Sequence, residues 1–187
     1  MTEVYFMVGL PGSGKSTYIK NNLPSLPIVS RDIIRAELGF TKSVDQKRVL
    51  KPKEEEYVSQ VERETVRYFC ENNQSFVVDD MNNRYVYRKA ILDIIRVFPS
   101  IKIICIKINT PLETCVERRQ GQINSDSMQY LSDSFEEIQP DEFDEKYKKW
   151  AFATLPFLPE EYKYEVIPGS AKQYKIVSGL LTRADVD

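Results

Sequence analysis

Val4-Tyr5-Phe6-Met7-Val8-Gly9-Leu10-Pro11-Gly12-Ser13-Gly14-Lys15-Ser16 is the stretch that decides how this chain folds. Its first five residues form an unbroken apolar, β-prone run, as expected of a strand buried on both faces. Gly9 to Ser16 then fits G-x-x-x-x-G-K-[ST] at every fixed position. Glycines let the backbone curl so that its N–H groups face inward as an anion nest. A helix beginning near Lys15 adds the positive end of its dipole. Lys15 then reaches the β- and γ-phosphates of a nucleotide, and the Ser16 hydroxyl ligates Mg²⁺. At average residue usage, a chance match arises in roughly one per cent of chains this long. The strand before it and the helix after it are the context that separates a phosphate loop from such a coincidence. Gly9, Pro11, Gly12, Ser13, Gly14, Lys15, Ser16 and Thr17 are therefore the expected ATP-binding residues.

Beyond this unit, apolar runs alternate with helical patterns. Ile28-Val29-Ser30 reads as a short strand and Asp32 to Leu38 as a short helix stopped by Gly39. Pro52 opens a long helix to about Glu71, with Glu54, Glu55 and Glu56 in a first turn that favours negative charge. Phe76-Val77-Val78 is a third strand, Tyr85 to Val97 a helix and Ile101 to Ile108 a fourth strand. Pro111 starts a helix to about Arg119, followed by a polar loop from Gln120 to Ser127. Helices are expected over Leu131–Ile138 and 145–153, a fifth strand over Tyr162–Ile167 and a last helix from Ser170 to about Thr182. Strands alternating with helices imply an α/β fold. The expectation is a P-loop NTPase, a parallel sheet of about five strands between helices, with a helical lid near 112–130. Residues 1–151 form the core domain, and 152–187 complete it or add a small extension.

Composition narrows the chemistry. The 187 residues are 42% hydrophobic and 29% charged with net charge −2, as in an ordinary globular domain not built for polyanions at large. The charge is uneven: residues 31–53 carry seven Lys/Arg against three Asp/Glu, and 133–165 carry four against ten. There is no histidine, which removes imidazole bases, Ser-His and Cys-His nucleophiles and the usual zinc sites. Cys70, Cys105 and Cys115 are odd in number and far apart, so reduced buried thiols in a cytoplasmic protein are expected. No apolar run approaches a membrane span, and the N-terminus lacks a basic leader. The N-K-x-D base-reading motif of GTPases is absent, which favours a kinase.

Several side chains fall where a kinase needs them. Asp32 follows the second strand, at the edge where α/β sheets place ligands. There a carboxylate can accept a hydroxyl proton; the alternative is a helix N-cap. Arg35 shares its helix face and can hold an acceptor phosphate or make a surface salt bridge. Asp79 and Asp80 end a buried strand, where one can hold a Mg²⁺ water unless both serve a turn. Arg118 and Arg119 enter the expected lid and can neutralise charge on a transferred phosphoryl group, or sit solvated at a helix end. Tyr85 and Tyr87, with Arg84 and Arg88, can stack on a nucleotide or simply pack a helix.

Arg31-Asp32 with Arg35, the segment Phe76 to Arg84 and the helix Pro111 to Arg119 together resemble P-loop kinases of the polynucleotide 5′-hydroxyl kinase type and their AAA- and zeta-like small relatives. Phe135, Pro140 and Phe143-Asp144-Glu145 resemble a late element of that family, although Glu142 stands where a glycine is common. The likeness covers about residues 1–150, and only the phosphate loop in it is highly specific. It implies Asp32 as general base, Lys15, Arg118 and Arg119 as catalytic cations, and Arg35, Asp80 and Asn82 on the acceptor. It also implies Ser16 and Asp79 at Mg²⁺, with ATP as donor. A second basic lid residue, frequent in the family, is replaced here by Gln120-Gly121-Gln122. The implied acceptor is a nucleic-acid 5′-hydroxyl. A small-molecule alcohol, or a regulatory ATP-binding module without transfer, remains open.

Overall fold

A computed structural model describes residues 1–44 and 49–138, and the backbone of 150–155. Strand β1 (Glu3–Val8) leads through the glycine loop into helix α1 (Lys15–Asn22), β2 (Ile28–Val29) and α2 (Arg31–Glu37). The long α3 (Pro52–Glu71) follows, then β3 (Phe76–Asp79), α4 (Tyr85–Ile95) and β4 (Lys102–Ile108). Helices α5 (Leu112–Arg118) and α6 (Ser125–Asp133) and strand β5 (Trp150–Leu155) complete the described elements. The sheet order is β2-β3-β1-β4-β5, and every neighbouring pair is parallel. This is the expected α/β arrangement, with β1 at its centre.

Both faces are buried because each strand alternates its side chains. Val4, Phe6 and Val8 of β1, with Phe76 and Val78 of β3, pack beneath Val66, Phe69 and Cys70 of α3 and Ile91, Leu92 and Ile95 of α4. Met7 and Val77 face the other way, against Ile19 of α1, Ile33 and Ile34 of α2 and Tyr57, Val58 and Val61 of α3. Helix α3 thus serves both cores, its N-terminal half one and its C-terminal half the other. Phe69 stacks on Phe76 with ring centroids 5.2 Å apart. The three cysteines are free and buried. Burial pushes the Cys70 thiol up to about 12. Among the described residues no helix is long and apolar enough to cross a membrane.

Two elements differ from expectation. Helix α6 starts at Ser125, inside the stretch read as a polar loop, and ends at Asp133, well before Ile138. The reason is local: the Asn124 side chain accepts from the Ser127 amide as an N-cap, and Met128 is buried. Residues 150–153, read as helical, belong instead to β5, which pairs with β4 from Ile103↔Trp150 to Ile108↔Leu155. A short apolar run without a clear period fits either element. The strand expected over Tyr162–Ile167, the helix from Ser170, and the Pro140 and Phe143–Glu145 motif lie outside the described residues.

Candidate active site

Parallel strands deliver their carboxyl ends to one edge of the sheet, and the chemistry collects there. Gly9 leaves β1, and its amide donates to the Met81 carbonyl beyond β3 at 3.1 Å. Gly12 and Gly14 take φ of 79° and 104°. A side chain at Gly12 would also collide with the Cys115 carbonyl, 2.9 Å from its Cβ. The loop's outward carbonyls are satisfied: Thr110 Oγ1 donates to Ser13 O at 2.7 Å and Arg118 Nη1 to Gly12 O at 3.1 Å. Gly14 offers no side chain to cap α1, so the opening amides of that helix suit an anion.

Lys15 folds back over this curl, its Nζ donating to Gly9 O at 2.9 Å and Leu10 O at 3.1 Å. Burial pulls its ammonium below the ordinary value, while the Asp79 carboxylate pulls it back. The Ser16 hydroxyl donates to Asp79 Oδ2 at 3.3 Å. Burial pushes the Asp79 carboxyl above its ordinary range, against the nearby Lys15 charge. A hydroxyl and a carboxylate side by side are hard oxygen donors that fit Mg²⁺. Among the described residues no group of three or more His, Cys, Asp or Glu surrounds a point. The protein therefore fits an ion that keeps most of its shell for waters and phosphate oxygens.

A cleft of about 620 Å³ opens beside the loop, and Lys15, Ser16, Asp32, Asp79 and Arg119 are among the residues that line it. Ser30 holds the N-cap position of α2, so Asp32 is not the cap and lies one residue into the helix. Its Oδ1 accepts from Arg35 Nη1 at 2.9 Å, with the carboxylate about one-third exposed. Arg119 is buried, and its positive charge acts on Lys15. Of the two arginines expected in the lid, Arg118 is bonded to the loop at Gly12 and Arg119 lines the cleft. Pro11 also lines the cleft, and Ser13 and Thr17 are buried in and behind the curl.

The residues expected on the acceptor side are more entangled than their sequence suggests. Arg35 donates Nε and Nη2 to Glu55, at 3.1 to 3.2 Å. Arg31 donates Nη2 to Glu55 at 2.7 Å and Nη1 to Glu62 and Ser59 at 2.8 and 2.9 Å. Burial raises the Glu55 carboxyl, but hydrogen bonds from Arg35 and Arg31 outweigh it and hold the group below its ordinary value. Asp80 Oδ1 accepts from the Arg31 amide at 3.1 Å. Burial first, then the Glu62 charge, pushes the Asp80 carboxyl well above its usual range. Asn82 is buried at φ 49°, its amide nitrogen donating to Met7 O at 2.8 Å. It lines the cleft while tying β1 to the turn after β3.

Glu55, Ser59, Glu62 and Arg63 all line the cleft from α3, and sequence reasoning gave none of them a place in it. Their spacing of four, three and one residues is a polar stripe on one helix face, which is the signal that was there to read. Tyr87 also lines the cleft and carries the Arg84 guanidinium 5.8 Å from its ring centroid. Arg88 is fully buried and donates to Asn82 O and Glu136 O at 3.0 and 3.2 Å. It holds the turn after β3 against the segment after α6.

The same fold recurs in solved structures. A provisionally assigned kinase from Chloroflexus aurantiacus j-10-fl has a TM-score of 0.62 at 16% identity, covering 96% of this chain and 96% of that one. A sugar kinase from Janibacter sp. HTCC2649 gives 0.53 at 16% identity over 100% and 95% of the two chains. A chain of the Pnkp1/Rnl/Hen1 complex gives 0.52 at 22% identity, covering 63% of this chain and 39% of that one. The fold is thus the P-loop fold shared with kinases. Among curated proteins, DNA topoisomerase 3 of Vibrio cholerae is 34% identical over 70 residues, 37% of this chain. That of Bacillus anthracis is 46% identical over 48 residues, 26% of this chain. The chain spans only 10% and 7% of the length of these relatives. The AAA domain family matches residues 4–139, well over half of the chain, and the chain belongs to that family.

Proposed function

We propose that this protein is an ATP-dependent kinase that moves the γ-phosphate onto an acceptor hydroxyl, the 5′-hydroxyl of a nucleic acid, with Asp32 as general base. The observation that carries the reading is the shared wall: Lys15, Ser16, Asp79, Asp32 and Arg119 line one cleft at the carboxyl edge of the sheet. The loop amides and Lys15 hold the triphosphate. Ser16 and Asp79 are the residues that would hold Mg²⁺, which would neutralise charge on the phosphate oxygens. The acceptor oxygen bonds to the γ-phosphorus as the bond to the β–γ bridging oxygen breaks, releasing ADP. The hydroxyl proton passes to Asp32, which Arg35 keeps oriented. Arg119 faces the transferred group, and Arg118 steadies the loop through Gly12.

Asp32→Asn is expected to lower kcat by about 10²–10⁴-fold while ATP binding is retained. The assay is transfer of labelled phosphate from ATP to a 5′-hydroxyl oligonucleotide. Turnover unchanged in Asp32→Asn refutes its role as base. A second reading, a kinase of small alcohols, draws on the carboxylates already paired with Arg31 and Arg35, which leave little charge to grip a phosphorylated acceptor. Label transferred to a nucleoside or sugar, with the oligonucleotide left bare, favours that reading. ATP bound but never consumed across such a panel marks a regulatory module.

A further inference from the structure

We propose that Arg63, a residue of α3 outside the phosphate loop and the lid, anchors the phosphate of the acceptor nucleotide; this rests on the nucleic-acid reading above. Arg35 was the natural candidate for that task, yet its guanidinium is spent on Asp32 and Glu55. Arg31 is spent on Glu55, Glu62 and Ser59. Two cations facing three carboxylates leave that end of the cleft with no surplus positive charge. Arg63 lines the same cleft, is exposed, and has no hydrogen bond or ion pair among the described residues. It stands one turn along α3 from Ser59 and about 12 Å along the helix axis from Glu55. It therefore offers a free guanidinium fork beyond the neutralised network, and such a fork matches phosphate oxygens.

The same cleft supplies a complement. Val86 and Tyr87 line the cleft while 57% and 54% exposed, an apolar and aromatic surface left open to solvent. A group that carries both an anion and a flat face suits such a lining, which describes a nucleotide better than a sugar. Arg63 then selects for a phosphate next to the reacting nucleoside, and the chemistry stays with Asp32 and the loop.

The test compares wild-type protein, Arg63→Gln and Arg63→Lys in steady-state transfer from ATP. Two acceptors are used that differ in one group: a nucleoside with a free 5′-hydroxyl, and the same nucleoside bearing a 3′-monophosphate. The ratio of kcat/KM, phosphorylated over unphosphorylated, is expected to fall about tenfold or more in Arg63→Gln, the loss of one charge-assisted hydrogen bond. The fall comes through KM rather than kcat, and Arg63→Lys, which keeps the charge but not the fork, restores only part of it. A ratio that stays within about twofold of wild type in Arg63→Gln overturns the anchor while the kinase reading stands. A ratio that collapses in Arg35→Gln but not in Arg63→Gln overturns it in favour of Arg35. Wild-type protein that phosphorylates a sugar and neither nucleoside overturns the anchor and the nucleic-acid reading together.

Discussion

Asp80 follows the last residue of β3 with one oxygen accepting from the Arg31 amide at 3.1 Å and the other, Oδ2, buried without a donor. The Glu62 charge beside it makes matters worse, since two carboxylates in a poorly solvated corner repel. Nothing in packing requires an acid there. An asparagine has the same shape, keeps the carbonyl oxygen facing the Arg31 amide and turns an N–H₂ toward Glu62. Asp80→Asn is therefore expected to stabilise the fold by about 1–3 kcal/mol, the cost of an unsatisfied buried group. That corresponds to a rise in Tm of roughly 2–4 °C per kcal/mol for a chain of this size. Thermal unfolding followed by circular dichroism measures it, and a Tm unchanged or lowered shows that Asp80 is not a source of strain.

Helix α4 shows a polar residue used as core. Arg88 is 0% exposed and its Nη1 bridges the Asn82 and Glu136 carbonyls, so one guanidinium sets the turn after β3 against the segment following α6. Arg88→Ala removes those bonds and leaves a cavity where a large side chain was. The expected cost is about 2–4 kcal/mol, or roughly 5–15 °C of Tm; a variant melting within a degree or two of wild type contradicts it. On the sequence, helix packing was the favoured reading for Tyr85, Tyr87, Arg84 and Arg88 as a group, but nothing local marks Arg88 as the buried one. Elements written in local chemistry were legible. The β1–loop–α1 unit follows from an apolar run and a glycine spacing, and α3 runs from Pro52 to Glu71 as expected from its proline and its closing asparagines. Helix α6 was misplaced because its cap, Asn124, hides in a polar run. Strand β5 was misread because a six-residue apolar segment carries no period. The pairing of Arg35 with Glu55 spans 20 residues and exists only once α2 lies against α3. The glycine loop, and the gathering of Lys15, Ser16, Asp32 and Asp79 at one cleft, were therefore visible in advance, and the network that decides which arginines remain available was not.

The cleft gathers residues from β1's loop, α1, α2, α3, α4, the end of β3 and Arg119, so a ligand bound there contacts many parts of the chain at once. A ligand that binds only the folded state stabilises it by mass action, about 2.7 kcal/mol at a hundredfold excess over Kd. For a domain of this size that is a rise in Tm of roughly 5–11 °C. Mg²⁺ with ADP is expected to give such a shift, and ADP with a chelator a smaller one, because the Ser16–Asp79 pair fits the ion only alongside phosphate oxygens. Ser16→Ala removes one oxygen donor and leaves the loop backbone alone. It should therefore erase the increment due to Mg²⁺ and spare most of the shift due to ADP. Gly12→Ala acts differently: at φ 79°, with its new Cβ 2.9 Å from the Cys115 carbonyl, it distorts the curl and should abolish both shifts. Differential scanning fluorimetry on the three proteins separates these outcomes. No shift in wild-type protein, or a Mg²⁺ increment that survives in Ser16→Ala, would leave the curl at residues 9–16 without the ligand its shape requires.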